Sequence, residues 1–143
     1  MHKTAVVTGA GGYIGRHVVR SLLDRGFSVG AVDPRLDGVD ARAERLDVDI
    51  FSGAPDVYER MGRPDVVLHL AWRDGFKHAS TAHLDDLARH YHLIEDLYAS
   101  GLHQLAVMGT MHEVGYWEGA IDENTPCRPA SLYGIAKNAL REA

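Results

Sequence analysis

The sequence predicts an open, doubly wound α/β fold: a parallel sheet with helices on both faces. Three observations predict it. Short apolar or β-branched runs alternate with stretches of helical periodicity along all 143 residues. The first strand-like run and the first helical stripe are joined by a glycine-rich turn, Gly9-Ala10-Gly11-Gly12-Tyr13-Ile14-Gly15. The run Val66–Ala71 is apolar without alternation, as suits a central strand buried on both faces.

In chain order, Lys3–Thr8 is β-branched and reads as a buried strand. The glycine turn follows at once. Gly9 suits a tight reversal, Gly12 lets a helix N-terminus approach a diphosphate, and Gly15 lets helix and strand pack closely. Ile14, Val18 and Leu22 then recur at helical spacing, widened by Val19 and Leu23, until Asp24-Arg25-Gly26 ends the helix. Phe27–Val32 is a second strand, closed by Asp33, and Pro34 starts a loop. Arg45–Ile50 reads as a third strand ending at Asp47 or Val48, and Ser52–Met61 as a short helix with a serine cap. After Val66–Ala71, the polar and aromatic stretch 72–82 reads as a loop. The longest helix is expected over 81–100, with Leu84, Leu87, Tyr91, Ile94 and Tyr98 as its core stripe and Asp86 and His92 outside it. Gln104–Met108 is the fifth strand, 109–130 a long loop, and Ser131 opens a last helix running to Ala143. This succession predicts the sheet order 3-2-1-4-5 in one domain over residues 1–143.

Apolar content of 45% and charged content of 24% are those of a globular domain with a core of its own. A net charge of -5 and the lack of any basic run argue against a nucleic-acid partner. No apolar stretch is long enough to span a bilayer. The N-terminus leads straight into strand and turn with no leader pattern, and Cys127 is the single cysteine, so the expected setting is the cytoplasm. Nine histidines raise the question of a metal, but no HExxH or Cys/His spacing occurs, and solvent-exposed or capping histidines with no metal are expected.

The chemistry lies at two places. A helix N-terminus following glycines favours a phosphate. Asp33, roughly 20 residues further on, is placed to accept hydrogen bonds from an adenosine ribose. It favours NAD, while Arg35 beside it leaves NADP open; a strand-end turn former is the alternative role for Asp33. Towards the C-terminus, Tyr133 and Lys137 stand four apart and share a helix face. An ammonium beside a phenol favours the phenolate, whose ordinary pKa is about 10, and so suits it to move a proton to or from a hydroxyl or carbonyl. Thr110, just past the fifth strand, can orient the reacting oxygen.

These residues together resemble the extended short-chain dehydrogenase/reductases, and within them the NAD-dependent nucleotide-sugar epimerase/dehydratase group. Thr8–Gly15 is similar to the family's TGxxGxxG element, Asp33 to its strand-end acid, Asp47-Val48 to the pair beside the adenine, and His69-Leu70-Ala71 to the segment lining the cofactor. Thr110 stands at the catalytic Ser/Thr position, and Tyr133 with Lys137 matches YxxxK. The resemblance implies a Rossmann domain binding NAD through Gly9, Gly12, Tyr13, Ile14, Gly15, Asp33, Asp47, Val48, Leu70, Ala71, Tyr133 and Lys137, with Thr110, Tyr133 and Lys137 catalytic. It also implies a nucleotide-sugar substrate and a homodimer formed through the helices 81–100 and 131–143.

Some positions depart from the family pattern. Asp86 falls where an asparagine is usual, and Glu113-Val114-Gly115-Tyr116 replaces a Tyr-Gly pair. Met111-His112 follows the threonine where 4,6-dehydratases carry Asp-Glu, which points to an epimerase, reductase or dehydrogenase. The chain ends six residues after Lys137, so the expectation is a cofactor half that lacks the C-terminal substrate domain. A module that binds NAD(P) without catalysis, as a structural or regulatory ligand, is the second reading. Trp72, Arg73 and Lys77 either contact substrate phosphates or form an ordinary surface loop.

Overall fold

A computed structural model of the protein describes residues 3–143. By contacts the chain divides into two compact units, one made of the chain up to Trp72 with Leu93–Met108, the other of Arg73–His92 with Gly109–Ala143.

The first unit holds a parallel sheet of five strands, β1 (Thr4–Thr8), β2 (Ser28–Val32), β3 (Glu44–Arg45), β4 (Val66–His69) and β5 (Gln104–Val107), in the order β3-β2-β1-β4-β5. This is the predicted Rossmann order. β1 is central, with Val6 paired in register to Gly30 of β2 and to Val67 of β4. Successive side chains of a strand face opposite ways, so Val6 and Val7 enter different cores. Val6, Val32 and Val67 pack with Val57, Met61, Leu93 and Leu97. Val7, Val29 and Ala31 pack with Val19 of helix α1 (Tyr13–Asp24). Both faces of the sheet are thus covered, which is why its inner strands are apolar throughout.

Three local expectations are corrected in this unit. The third strand is only Glu44–Arg45, and Asp49 turns the chain four residues later. Its side chain accepts from the Phe51 N–H at 3.0 Å and its carbonyl from the Ser52 N–H at 3.3 Å, while Val48 and Ile50 drop into the core. The helix expected over 52–61 shrinks to α2 (Val57–Arg60); the Ser52 hydroxyl accepts from the Ala54 N–H in a local turn, and Pro55 delays helix entry. Ile14 is 49% exposed rather than part of the core stripe, since Gly15 and Val19 take the buried face of α1.

The second unit contains α3 (Ala82–Asp85), the start of α4 (Leu87–Ala99), a 3₁₀ turn at Met111–Glu113 and α5 (Leu132–Glu142). The single long helix expected over 81–100 is therefore two, separated at Asp86. Its buried face is also not the expected one. Leu84 is 45% exposed, whereas His83, Asp86, His90, Leu93 and Leu97 are buried, again at helical spacing but one residue out of phase. Asp86 is held inward by Arg73, whose Nε lies 2.9 Å from its carboxylate. His69, His83 and His90 are all buried, so they are neither solvent-exposed nor surface caps. Among the described residues no helix is long and apolar enough to cross a membrane.

Candidate functional site

In the first unit the site is built on the turn between β1 and α1. Gly9 adopts φ +70°, and a Cβ there would stand 2.6 Å from the Ala71 N, so the turn can lie against the end of β4 only with glycine. A Cβ on Gly15 would overlap the Gly9 carbonyl oxygen. Gly12 is the N-cap of α1 and no side chain caps the helix. Its first-turn N–H groups therefore keep their capacity for an anion. Tyr13 and Ile14 occupy that first turn and are exposed, with the Tyr13 ring beside Arg16 and His17.

Asp33, at the end of β2, turns its carboxylate towards this turn. One oxygen accepts from the Gly11 N–H at 3.2 Å and the other from the Arg35 N–H at 2.8 Å. Each oxygen keeps a further lone pair for a ribose hydroxyl. Leu70 and Ala71 follow β4 directly. The Leu70 N–H bonds the Thr8 carbonyl at 3.1 Å and the Ala71 N–H the Thr8 hydroxyl oxygen at 3.4 Å. Asp47 is exposed and Val48 is packed into the core, so of that pair only the aspartate offers a side chain to solvent. An uncapped helix N-terminus behind a glycine cradle, with a carboxylate beside it, is a donor and acceptor set that fits the diphosphate and ribose of NAD.

Sequence reasoning did not assign Thr8 and His69 a structural role of their own. The Thr8 Oγ1 lies 2.7 Å from His69 Nδ1, both fully buried, and links the ends of β1 and β4 directly beneath the turn. The motif hinted at both positions, but only the fold shows that they meet.

In the second unit, Thr110 caps the 3₁₀ turn. Its hydroxyl oxygen accepts from the His112 N–H at 3.3 Å, and its own N–H donates to the Glu113 carboxylate at 2.8 Å. The cap uses the Thr110 hydroxyl as an acceptor and does not engage its proton. Ser131 caps α5 by accepting from the Gly134 N–H at 3.1 Å, and the Tyr133 N–H donates to the His78 carbonyl at 3.1 Å. Tyr133 and Lys137 are thus fixed one turn apart on a capped helix. Lys137 is 5% exposed, and burial pulls its pKa down to about 8 against the opposing attraction of Glu113. His90 is brought down to about 4 by burial first and by the Lys137 charge second, with Asp86 pulling the other way, so its ring is neutral at pH 7.

Two further features of this unit had no sequence signal strong enough to find them. Glu113 is buried beneath Thr110, with Arg141 Nε 3.4 Å from its second oxygen. Three imidazoles surround the Tyr133 ring: His78, His83 and His112. His78 and His83 come from the stretch before α4 and His112 from the 3₁₀ turn, at no spacing that forms a motif. Arg73 and Lys77 of the loop are paired with Asp86 and Asp74.

The sequence model of the NAD dependent epimerase/dehydratase family matches residues 5–143. The dTDP-6-deoxy-L-talose 4-dehydrogenase (NAD(+)) of Aggregatibacter actinomycetemcomitans is 42% identical over 96% of this chain and 53% of its own. A solved UDP-glucose 4-epimerase superposes with a TM-score of 0.84 at 23% identity, over 98% of this chain and 46% of that one, which is a likeness of fold. The Thermus thermophilus UDP-glucose 4-epimerase, solved in complex with NAD, is 26% identical with a TM-score of 0.77, over 97% of this chain and 49% of that one. The chain spans about half the length of these relatives. With its motifs, its sheet order and this match over nearly its whole length, the chain belongs to the NAD dependent epimerase/dehydratase family.

Proposed function

We propose that the protein acts in the NAD-dependent oxidation of a ring hydroxyl on a nucleotide sugar, or the reverse reduction of the ring ketone, with a dTDP-linked 6-deoxyhexose as the favoured substrate class. The observation that carries this reading is Tyr133 one helical turn from the buried Lys137 on the capped helix α5. NAD supplies the hydride acceptor. Its diphosphate would lie on the N-terminus of α1 at Gly9, Gly12 and Gly15, with Tyr13 and Ile14 beside it, and its adenosine ribose on Asp33. Leu70, Ala71, Asp47 and Val48 would border it. Tyr133 would take the hydroxyl proton, Lys137 one turn further on would hold the second ribose, and the Thr110 hydroxyl would orient the reacting oxygen. The 42% identical 4-dehydrogenase supports net oxidation over epimerisation. Epimerisation is the second reading, supported by the 26% identical UDP-glucose 4-epimerase. A homodimer through the helices 81–100 and 131–143 belongs to the same proposal, and the exposure of Leu84 and Ile135 supports it.

The test is turnover, followed by NADH absorbance, on dTDP-deoxyhexoses and on UDP-glucose. Tyr133→Phe is expected to lower it by about a hundredfold or more. Wild-type turnover in that variant would sink the mechanism, and NAD binding without turnover on any nucleotide sugar would favour the non-catalytic module.

A further inference from the structure

Glu113 reaches both elements that carry the proposed proton-transfer set. It is 7% exposed, and a carboxylate is costly to bury unless donors meet it. One donor is the Thr110 N–H, 2.8 Å from its Oε1. This bond is the return half of a capping box at the spacing Thr110-Met111-His112-Glu113, whose other half is the Thr110 hydroxyl. The second partner is Arg141 in the last turn of α5, whose Nε lies 3.4 Å from Oε2. The Arg141 side chain is 53% exposed, and its Nη2 also meets Cys127, Asn138 and Glu142. Solvent weakens that pair, so the firmer hold on the carboxylate is the Thr110 N–H. The surrounding packing is close. A Cβ on Gly109 would stand 3.3 Å from Glu113 Oε1, and one on Gly134 would overlap the His112 carbonyl oxygen. The 3₁₀ turn therefore lies directly against the first turn of α5. Lys137 and Arg141 share a face of that helix, and Glu113 is the charge that opposes the effect of burial on Lys137.

A hydroxyl orients a reacting oxygen only if its own backbone is fixed, because a small misplacement costs rate. Thr110 is extended, at φ -149° and ψ 148°, and the chain turns immediately after it. Its hydroxyl accepts from His112 and its N–H is taken up by Glu113, so the box fixes Thr110 through both groups. We propose that Glu113 is a positioning residue for the reaction: its carboxylate fixes the Thr110 backbone against the α5 face that carries Tyr133 and Lys137, and so sets where the Thr110 hydroxyl meets a substrate oxygen. Glu113 forms no bond to the substrate and moves no proton. This rests on the reading of Thr110, Tyr133 and Lys137 as the proton-transfer set. The role requires an acceptor oxygen at the end of a side chain of this length, so glutamine should serve and alanine should not.

The experiment pairs amide exchange with steady-state kinetics on the full chain. In the wild type the Thr110 amide, followed by NMR in heavy water, is expected to exchange at least about tenfold more slowly than an exposed loop amide. Glu113→Ala is expected to remove that protection while the α5 amides keep theirs. It should lower kcat and kcat/KM for sugar oxidation together by about tenfold or more, with NAD affinity unchanged. Glu113→Gln should restore the protection and most of the rate. A purely structural role would lower turnover only in proportion to the folded fraction, counted by the stoichiometry of NAD binding, and that result overturns the proposal. So does an unprotected Thr110 amide in the wild type, unchanged turnover in Glu113→Ala, or a loss of about tenfold or more in Glu113→Gln. The wild-type exchange and the glutamine variant decide the matter even where the alanine variant does not fold. Wild-type turnover in Thr110→Val, or no turnover of any nucleotide sugar by the wild type, overturns the underlying reading and the proposal with it, and is told apart by a Thr110 amide that is still protected.

Discussion

Replacing Lys137 with methionine separates what the residue does for folding from what it does for chemistry. Burial draws its pKa from 10.5 to about 8. That shift corresponds to about 3 kcal/mol carried by the charged form in the folded state. At about pH 7 the lysine is protonated both folded and unfolded, so the native protein bears this cost in full. Methionine has a similar length and no charge to desolvate, and Lys137→Met is expected to be about 2 kcal/mol more stable at that pH. Between about 8 and 10.5 the unfolded chain holds the proton and the folded one does not, so wild-type stability rises with pH and the gap closes. Urea unfolding at both ends of this window measures it through the midpoint at constant slope. A variant less stable than wild type at pH 7, or a gap that does not change with pH, would refute the argument. The same variant should lose nearly all turnover, so greater stability would coincide with loss of chemistry.

Other sites give equally direct readouts. Gly15→Ala sets a methyl against the Gly9 carbonyl and 2.8 Å from the Ala10 Cα, both backbone. It should cost about 1–3 kcal/mol and weaken NAD binding, and an unchanged Tm with unchanged affinity would contradict the packing described. Thr8→Val removes the hydroxyl at 2.7 Å from His69 Nδ1 and should destabilise by about 1–3 kcal/mol in urea. His90, lowered from 6.5 to about 4, binds its proton more readily unfolded, so stability should fall as pH drops through that interval. His90→Leu should flatten that part of the profile, and an equally steep acid loss in the variant would show that other groups cause it.

What could be read from the chain follows from where the information sits. Local chemistry carried the β1–turn–α1 unit, since glycine spacing, a β-branched strand and a helical stripe each constrain a few adjacent residues. Sheet order followed because right-handed crossovers leave few alternatives. The phase of the helices after the Trp72 loop was not legible. Leu84, Leu87 and Tyr91 make the more apolar stripe, yet the buried face carries His83, Asp86 and His90. Burying those groups is favourable only with partners from elsewhere, such as Arg73 for Asp86, and no periodicity reports such partners. The histidine cage escaped for the same reason: His78 and His83 lie some thirty residues from His112, and no sequence pattern reports that they meet around the Tyr133 ring. β3 pairs only over Glu44–Arg45, and the following Asp47 and Asp49 alternate with residues that pack into the core, a pattern that reads as a strand without forming the ladder.

Isothermal titration with NAD and with NADP tests most directly whether the turn after β1, with Asp33 beside it, holds NAD. One saturable site is expected, taking NAD at least about tenfold more tightly than NADP, with the preference lost in Asp33→Ala as the carboxylate's repulsion of a 2′-phosphate disappears. No saturable binding of NAD, or tighter binding of NADP, would contradict it.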